Sequence, residues 1–569
     1  MSTPESTEDK RWVGIVAIAA VGCAVIGLSF LIPDDGLRVG AQTLRIAMPP
    51  SWQAILHPGA TPVAPEMGAE DVAALLAEYD AEWSAASEGG GMTDSTAALL
   101  GEETPEEPAA TDSLAFGHLD GTADSVSSVP ERRPVRKPLD LTLPDPATLP
   151  ARLKMEIPES AREQFGRLFE QLNETGEVDV LHYGDSQIEG DRISGVMRNA
   201  WQDRWGGYGP GLQAAVPLVQ SFALKQDRQG DWKRHTRYGS RDTSDTDERY
   251  GLMACYADLQ TNSSEACLSL APERRNHSRF GKWDGVRIWH DSIPENCAVF
   301  FNGEWRDSLR AGSGPGVLTL RNAANTGGGS TGNSSADPWS RICFGGIPPR
   351  IFALEPLGRG VQWHGIPMRG SSGTLFRRLD RSLLVSQWKE LAPDLVILQY
   401  GGNSVPYCAD TAAADRYGRW FSSQIRLFRS TLPETAILVI GPSDMAEKSG
   451  VYWSSYPMLG AVRDALRQAA MDEGAAFWDL LEVMGGLGSM PGWVESEPPL
   501  AGPDHVHFTP RGAKHIGKLL DRSFLASMGE WQRNWALPSP ETLSTRPAAP
   551  VIPSVPTGAD SIAVPQLKQ

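Results

Sequence analysis

The sequence predicts an α/β domain broken by an all-β insert and preceded by a membrane anchor. Three observations carry that expectation: short apolar runs alternate with amphipathic segments over about 176–212 and 360–530, a β-rich stretch of different texture lies between them, and residues 12–32 form a charge-free apolar run. A chain of 569 residues is also longer than one domain usually needs.

The apolar run "WVGIVAIAAVGCAVIGLSFLI" is long enough to span a bilayer as one helix. Lys10 and Arg11 precede it and Asp34 and Asp35 follow, so residues 1–11 are expected in the cytoplasm and the rest outside. A cleaved signal peptide would have a shorter apolar core ending in a small-residue cleavage site. Residues 33–150 are rich in Pro, Ala, Gly, Ser and acid, a composition that buries too little apolar surface to fold. They are expected to form a flexible tether spanning roughly 60 Å. One piece has helical spacing, with Val72, Leu75, Leu76, Tyr79 and Trp83 on a single face. The net charge of −18 mostly reflects this tether, since 16 acidic residues and no Lys or Arg fall between Ala47 and Glu131. What remains is nearly neutral and gives no reason to expect nucleic acid as a partner. The Pro-rich stretch 533–569 reads as a disordered tail.

The α/β domain is expected in two pieces, 151–212 and 359–532. In it "VDVLHY", "DLVILQY", "AILVIG" and "AAFWDLL" are strand-like and each precedes an amphipathic segment, the pattern of a parallel sheet covered by helices. The insert, 213–358, carries short β-rich runs such as "GVRIWHD" and "CAVFFNGEW" separated by Gly, Asn, Asp and Ser, as in a β-sandwich. Its Trp residues suit either core packing or a sugar-stacking platform. In an oxidising compartment Cys255, Cys267, Cys297 and Cys343 are able to form two disulfides, with three connectivities open, while Cys408 stands apart.

The chemistry concentrates at two places. "LHYGDSQIEGDRIS" puts Asp185 and Ser186 at a strand-to-helix corner. A serine hydroxyl becomes a strong nucleophile only beside a base that a third group orients. "GPDHVHFTPRGAKHIGKLL" offers both, with Asp504 and His507 in the loop before a helix capped by Thr509 and started by Pro510. A metal site from Asp504, His505 and His507 is the weaker reading, since no matching cluster stands near Ser186, and neither metal nor cofactor is expected. Oxyanion donors are also needed. Asn403 follows the strand "DLVILQY", and Gly370 lies in "HGIPMRGSSGTLF", with Gly365 and Gly373 as alternatives.

"GDSQ", the Gly in "MRGSSG", "GGN" and "DHVH" occur in the order found in the SGNH (GDSL-type) hydrolases, which the α/β portion resembles over about 200 residues. The resemblance implies a flavodoxin-like three-layer α/β/α fold, with Ser186 as nucleophile, His507 as acid and base, and Asp504 orienting it. It further implies that Ser186 N–H, Gly370 N–H and the Asn403 side chain form the oxyanion hole. Gln187 replaces the usual Leu after the serine and is expected to matter little; Ser404 follows Asn403 where another residue is common. No "GxSxG" elbow surrounds Ser186. A β insert with an envelope address is similar to the peptidoglycan O-acetylesterase branch of bacteria. The expected protein is therefore a single-pass protein of the bacterial inner membrane whose periplasmic domain removes O-acetyl groups from an acetylated envelope glycan, peptidoglycan first. The alternatives are an O-acetyltransferase supplied by a membrane acyltransferase partner, and a non-catalytic wall-binding tether.

Overall fold

The computed structural model describes residues 143–535 apart from 240–246, 262–265, 274–276, 278, 323–337 and 450–451, with residue 141 and a few positions within 37–44 and 74–77. The membrane helix expected at 12–32, most of the tether and residues 536–569 of the tail lie outside the described residues. Among the described residues, no helix is long and apolar enough to cross a membrane.

In chain order the α/β domain opens with α1 (Arg162–Glu174), β1 (Asp179–Gly184) and α2 (Ser194–Trp205). Ten strands follow: β2 (Leu224–Gln229), β3 (Trp232–Thr236), β4 (Cys255–Leu259), β5 (Ala266–Pro272), β6 (Gly285–His290), β7 (Cys297–Phe301), β8 (Glu304–Leu309), β9 (Gly316–Arg321), β10 (Ser340–Gly345) and β11 (Ile351–Pro356). The domain then resumes with β12 (Gln362–Pro367), α3 (Arg381–Leu391), β13 (Leu395–Gln399), α4 (Thr411–Thr431), β14 (Ala436–Ile440), α5 (Leu459–Asp472), β15 (Ala476–Trp478) and a last long helix, α6 (Pro510–Asn534).

The central sheet has the order β12-β1-β13-β14-β15, parallel throughout. Counting only the strands of this sheet, the order is 2-1-3-4-5, the doubly wound arrangement whose crevice opens between the first and third strands. Side chains alternate across the pleat, and both faces are covered. Val180, Leu395, Ile397 and Leu438 pack with Phe165, Trp201 and Ile516 of α1, α2 and α6. Leu181, Tyr183, Val396, Leu398 and Val439 pack with Trp388, Phe421 and Leu466 of α3, α4 and α5. Burial on both faces explains why these strands read as continuous apolar runs.

The ten strands between α2 and β12 form two antiparallel five-stranded sheets, ordered β8-β7-β10-β5-β2 and β9-β6-β11-β4-β3. One disulfide, Cys267–Cys343, joins directly paired residues of β5 and β10. The second expected disulfide does not form: Cys255 on β4 and Cys297 on β7 are buried free thiols in different sheets. Trp232, Trp283 and Trp289 are buried, so most of the insert's tryptophans described here serve its packing, while Trp305 is exposed.

The two parts share one interior. Tyr250, Leu252, Trp289 and Phe352 join the same apolar cluster as Trp388 and Phe428 of the α/β domain. Polar ties close the seam: Tyr183 Oη donates to Leu252 O at 2.7 Å, and Leu252 N donates to Gln387 Oε1 at 2.7 Å. Arg249 bridges Asp291 of the insert and Asp380, the N-cap of α3. At the neck, Gly207–Tyr208 pairs with Arg359–Gly360, and Tyr208 and Arg359 both reach Asp284.

The domain also starts earlier than the composition suggests. Leu149, inside the expected tether, is buried, and Arg533 of α6 donates to Pro144 O at 2.8 Å. Leu75 is buried in the core beside α1 and α6. Proline-rich flanks thus conceal a few leucines that the core uses.

A shared core makes the insert and the α/β domain one cooperative unit. Trp289→Ala should destabilise both together by about 3–5 kcal/mol, seen in urea as a single coincident transition in circular dichroism and tryptophan fluorescence. Two separated transitions would show that the two parts fold separately.

Candidate active site

β1 ends at Gly184, and the chain turns directly into a short 3₁₀ segment, Ser186–Asp191, capped by Asp185, whose carboxylate accepts from Gln187 N at 2.9 Å. This places Ser186 at the carboxyl end of the sheet, in the crevice between β1 and β13. From the other end of the chain, Thr509 caps α6 by accepting from Gly512 N at 3.2 Å, with Pro510 at the first helical position. The preceding loop closes on itself through Gly502 N donating to His507 O at 2.7 Å.

Within that loop Asp504 curls back. Its Oδ1 accepts from Val506 N and His507 N, both at 3.1 Å, and its Oδ2 lies 2.7 Å from His507 Nδ1. Nδ1–H therefore donates to the carboxylate, leaving Nε2 to accept from the Ser186 hydroxyl at 2.8 Å. Partial burial pushes the Asp504 carboxyl up, but the bonds from the His507 ring and the two amides outweigh it and hold the group below the usual carboxylate range. It is ionised wherever the imidazole has to be oriented. His505 turns away, its ring stacked on Trp453 at 3.7 Å. Among the described residues no group of His, Cys, Asp and Glu is arranged to hold a metal.

Ser186, Asp504 and His507 line an open cleft of about 570 Å³, together with Gly370, Asn403 and Tyr407. The structure separates the three glycines. A Cβ on Gly365 would meet Ser194 Oγ at 2.5 Å and one on Gly373 would meet Tyr400 at 2.5 Å, so both are packing positions. A Cβ on Gly370, with φ +75°, would meet nothing beyond its chain neighbours nearer than 3.8 Å, and the residue lines the cleft. Its loop is fixed by Met368 N donating to Gly184 O at 2.7 Å and by Arg369, which pairs with Glu189. Asn403 Nδ2 donates to Ser371 O at 3.1 Å and to Asp185 Oδ2 at 3.2 Å. Both of its hydrogens are thus directed at protein acceptors, and one must be shared for an oxyanion to receive it.

Two residues undervalued by the sequence join the halves of the site. Gln187, expected to matter little, donates to Val506 O at 2.6 Å and accepts from Phe508 N at 3.3 Å, holding the backbone on both sides of His507. Arg192 donates to Ser186 O at 2.5 Å, Glu189 O at 2.9 Å and Phe508 O at 2.8 Å. Neither role has a local sequence signal, because the bonds that reach the His507 loop span more than 300 residues and end on main-chain atoms.

Burial pushes the Asp185 carboxyl up to about 6, against the bonds from Gln187 and Asn403 and the attraction of His507 and Arg192. The folded state holds this proton more tightly than the unfolded chain. Stability therefore falls as pH rises from the ordinary Asp value of 3.8 through about 6, and above that the cost stays near 3 kcal/mol, an order-of-magnitude figure. Asp185→Asn should gain more melting temperature at pH 7 than at pH 4; an equal change at both would show that Asp185 titrates normally. Gln187→Leu should lower kcat about 10²-fold with little change in KM, because it frees the His507 loop. A fall in melting temperature with kcat preserved would reduce Gln187 to a structural strut.

Residues 324–515 match the family model described as "GDSL-like Lipase/Acylhydrolase family". The match includes Gly370, Asn403, Asp504 and His507 but starts after Ser186, which the insert separates from them. No curated protein sequence matches the chain. Among solved structures, "Peptidoglycan O-acetylesterase in action, 5 min" superposes with TM-score 0.53 at 21% identity, covering 66% of this chain and 99% of that one, a likeness of fold. An acetyl xylan esterase, AlAXEase, gives TM-score 0.22 at 18% identity over 28% of this chain and 79% of its own. The acetyl xylan esterase Est2A from Butyrivibrio proteoclasticus gives 0.21 at 10% over 54% and 99%. Neither of these two superpositions bears on the fold. With the matched blocks placed around one cleft on a 2-1-3-4-5 sheet, the α/β domain belongs to the SGNH (GDSL-type) hydrolase family and the protein is an ester-hydrolysing enzyme.

Proposed function

We propose that the enzyme removes O-acetyl groups from an envelope polysaccharide, peptidoglycan first, through an acyl-serine intermediate, with the catalytic domain held outside the cytoplasmic membrane by the helix expected at 12–32. The observation that carries the chemistry is the unbroken relay from Asp504 through His507 to the Ser186 hydroxyl, at 2.7 and 2.8 Å, on the floor of an open cleft. The glycan reading draws on the fold likeness to a structure titled as a peptidoglycan O-acetylesterase. The openness of the cleft also suits a bulky substrate.

In this mechanism Ser186 Oγ attacks the ester carbonyl carbon while its proton passes to His507 Nε2. Asp504 stabilises the imidazolium through Nδ1–H. The developing oxyanion is received by the N–H groups of Ser186 and Gly370, neither of which is spent on a protein acceptor among the described residues. Asn403 Nδ2 is the third donor, sharing the hydrogen it directs at Asp185. Collapse breaks the bond to the sugar oxygen, which leaves with the proton from His507. Water then enters, gives a proton to His507 and attacks the acetyl carbon. Acetate departs and Ser186 Oγ recovers the proton.

Ser186→Ala should abolish hydrolysis of 4-nitrophenyl acetate and of O-acetylated peptidoglycan without changing the melting temperature. A fluorophosphonate should label the wild type at Ser186 alone; labelling elsewhere or residual full activity defeats the assignment. Asn403→Ala should lower kcat about 10²- to 10³-fold with little change in KM. A change confined to KM would make Asn403 a substrate contact. Released acetate measured with and without a sugar acceptor decides whether water or a sugar takes the acyl group.

A further inference from the structure

A second, smaller cavity of about 60 Å³ lies at the seam between the insert and the α/β domain. Glu189 lines both it and the serine cleft. Ser186 and Glu189 are three residues apart, so the two spaces are separated by no more than about 10 Å of chain. An ester at Ser186 and a group in the smaller cavity are within the span of a disaccharide.

What marks this cavity is Arg234, in the middle of β3 opposite Ala257. Its Nε and Nη1 are shielded from solvent and make no hydrogen bond among the described residues. A guanidinium is always charged, and leaving its donors unmet in a low-dielectric pocket is costly. The two acids of the described wall are engaged elsewhere. Glu189 takes three bonds from Nε and Nη2 of Arg369, the Nε–Oε1 one at 2.9 Å, and Asp191 accepts from Ser194 at 2.5 Å and from Arg198. The Tyr238 hydroxyl and the Cys255 thiol, also in the wall, are kept neutral by burial. The rest of the wall is mostly neutral, including Gln226, Met253 and Ile366. Beside the cavity the insert presents Leu218, Val219 and Phe222, all exposed, with the Phe222 ring against Gly190. An exposed aromatic face next to a waiting cation suits a sugar ring that bears an acid.

We propose that this cavity is an acidic-sugar subsite, in which Arg234 receives a carboxylate of the glycan while a neighbouring acetyl ester sits at Ser186. The proposal rests on the esterase reading for its substrate class and narrows it: the preferred glycan is carboxylated, through a uronic acid or through the peptide stem of a muramic unit. Arg234 selects the substrate and takes no part in proton transfer.

Calorimetric titration of the wild type with glucuronic acid, an N-acetylmuramoyl dipeptide and neutral N-acetylglucosamine tests this directly. At least one acidic ligand should bind about tenfold or more tighter than the neutral one, the scale of one charge-assisted hydrogen-bond pair. Which acid binds identifies the source of the carboxylate. In Arg234→Gln the preference should disappear, and Arg234→Lys should restore part of it. If Arg234→Gln fails to fold, methyl esterification of the ligand's carboxyl performs the same subtraction on the wild type. No acid preference in the wild type means that water alone fills the cavity, and it overturns the proposal. So does a preference that survives Arg234→Gln or esterification. Acetate release from acetylated acidic and neutral glycans is scored separately. No release from either, with acid binding intact, removes the proposed reaction and leaves the subsite; release without acid preference does the reverse.

Discussion

The structure turns on bringing a hydroxyl and an imidazole together across 321 residues of chain, to a separation of 2.8 Å. Neither is rigid alone. Ser186 begins a 3₁₀ segment broken by non-helical backbone at Glu189 and Gly190, and His507 stands in a loop. What holds them is a set of side chains from the serine segment that bond the main chain of the histidine loop. Gln187 takes both sides of His507, and Arg192 joins Ser186 O to Phe508 O. The parallel sheet supplies the platform, because its order reverses between β1 and β13 and leaves a crevice where loops from several strands converge.

That arrangement puts charge where the fold would do better without it. Asp185 is buried behind Ser186, and its carboxyl rises to about 6 even with two donors and with Arg192 and His507 nearby. Its return is positional: it accepts from Gln187 N and from Asn403, tying the serine turn to the loop after β13. The solvent-facing Asp504 is held low by amides and the imidazole. Two carboxylates within one site are thus driven in opposite directions by burial and hydrogen bonding.

The insert is more than an appendage. It continues the apolar interior on the α3 and α4 side of the sheet and is tied to the N-cap of α3 through Arg249. Its first strands form the wall of the small cavity beside the cleft, where Nε and Nη1 of Arg234 meet no partner among the described residues. Aromatic content alone pointed to either core or sugar binding. Burial divides the question: Trp232, Trp283 and Trp289 are core, while the exposed aromatic surface near the chemistry is Phe222 and Tyr407.

The sequence by itself determined what depends on local pattern. The parallel strands were legible because burial on both faces leaves near-continuous apolar runs, and α6 was legible from Thr509 and Pro510, whose capping chemistry is local. Asp504 and His507 stood out because three-residue spacing sets their geometry within one loop. Tertiary structure decided whatever depends on partners distant in sequence. Leu149 and Leu75 look like linker until the core surrounds them, and Cys255 and Cys297 look pairable until they fall in different sheets. Gly370 is distinguished from Gly365 and Gly373 only by what a Cβ would touch. Gln187 and Arg192 act on backbone atoms more than 300 residues away, and Arg234 is notable for partners it lacks. Main-chain acceptors carry no residue identity and missing partners leave no spacing, so a linear pattern cannot encode either.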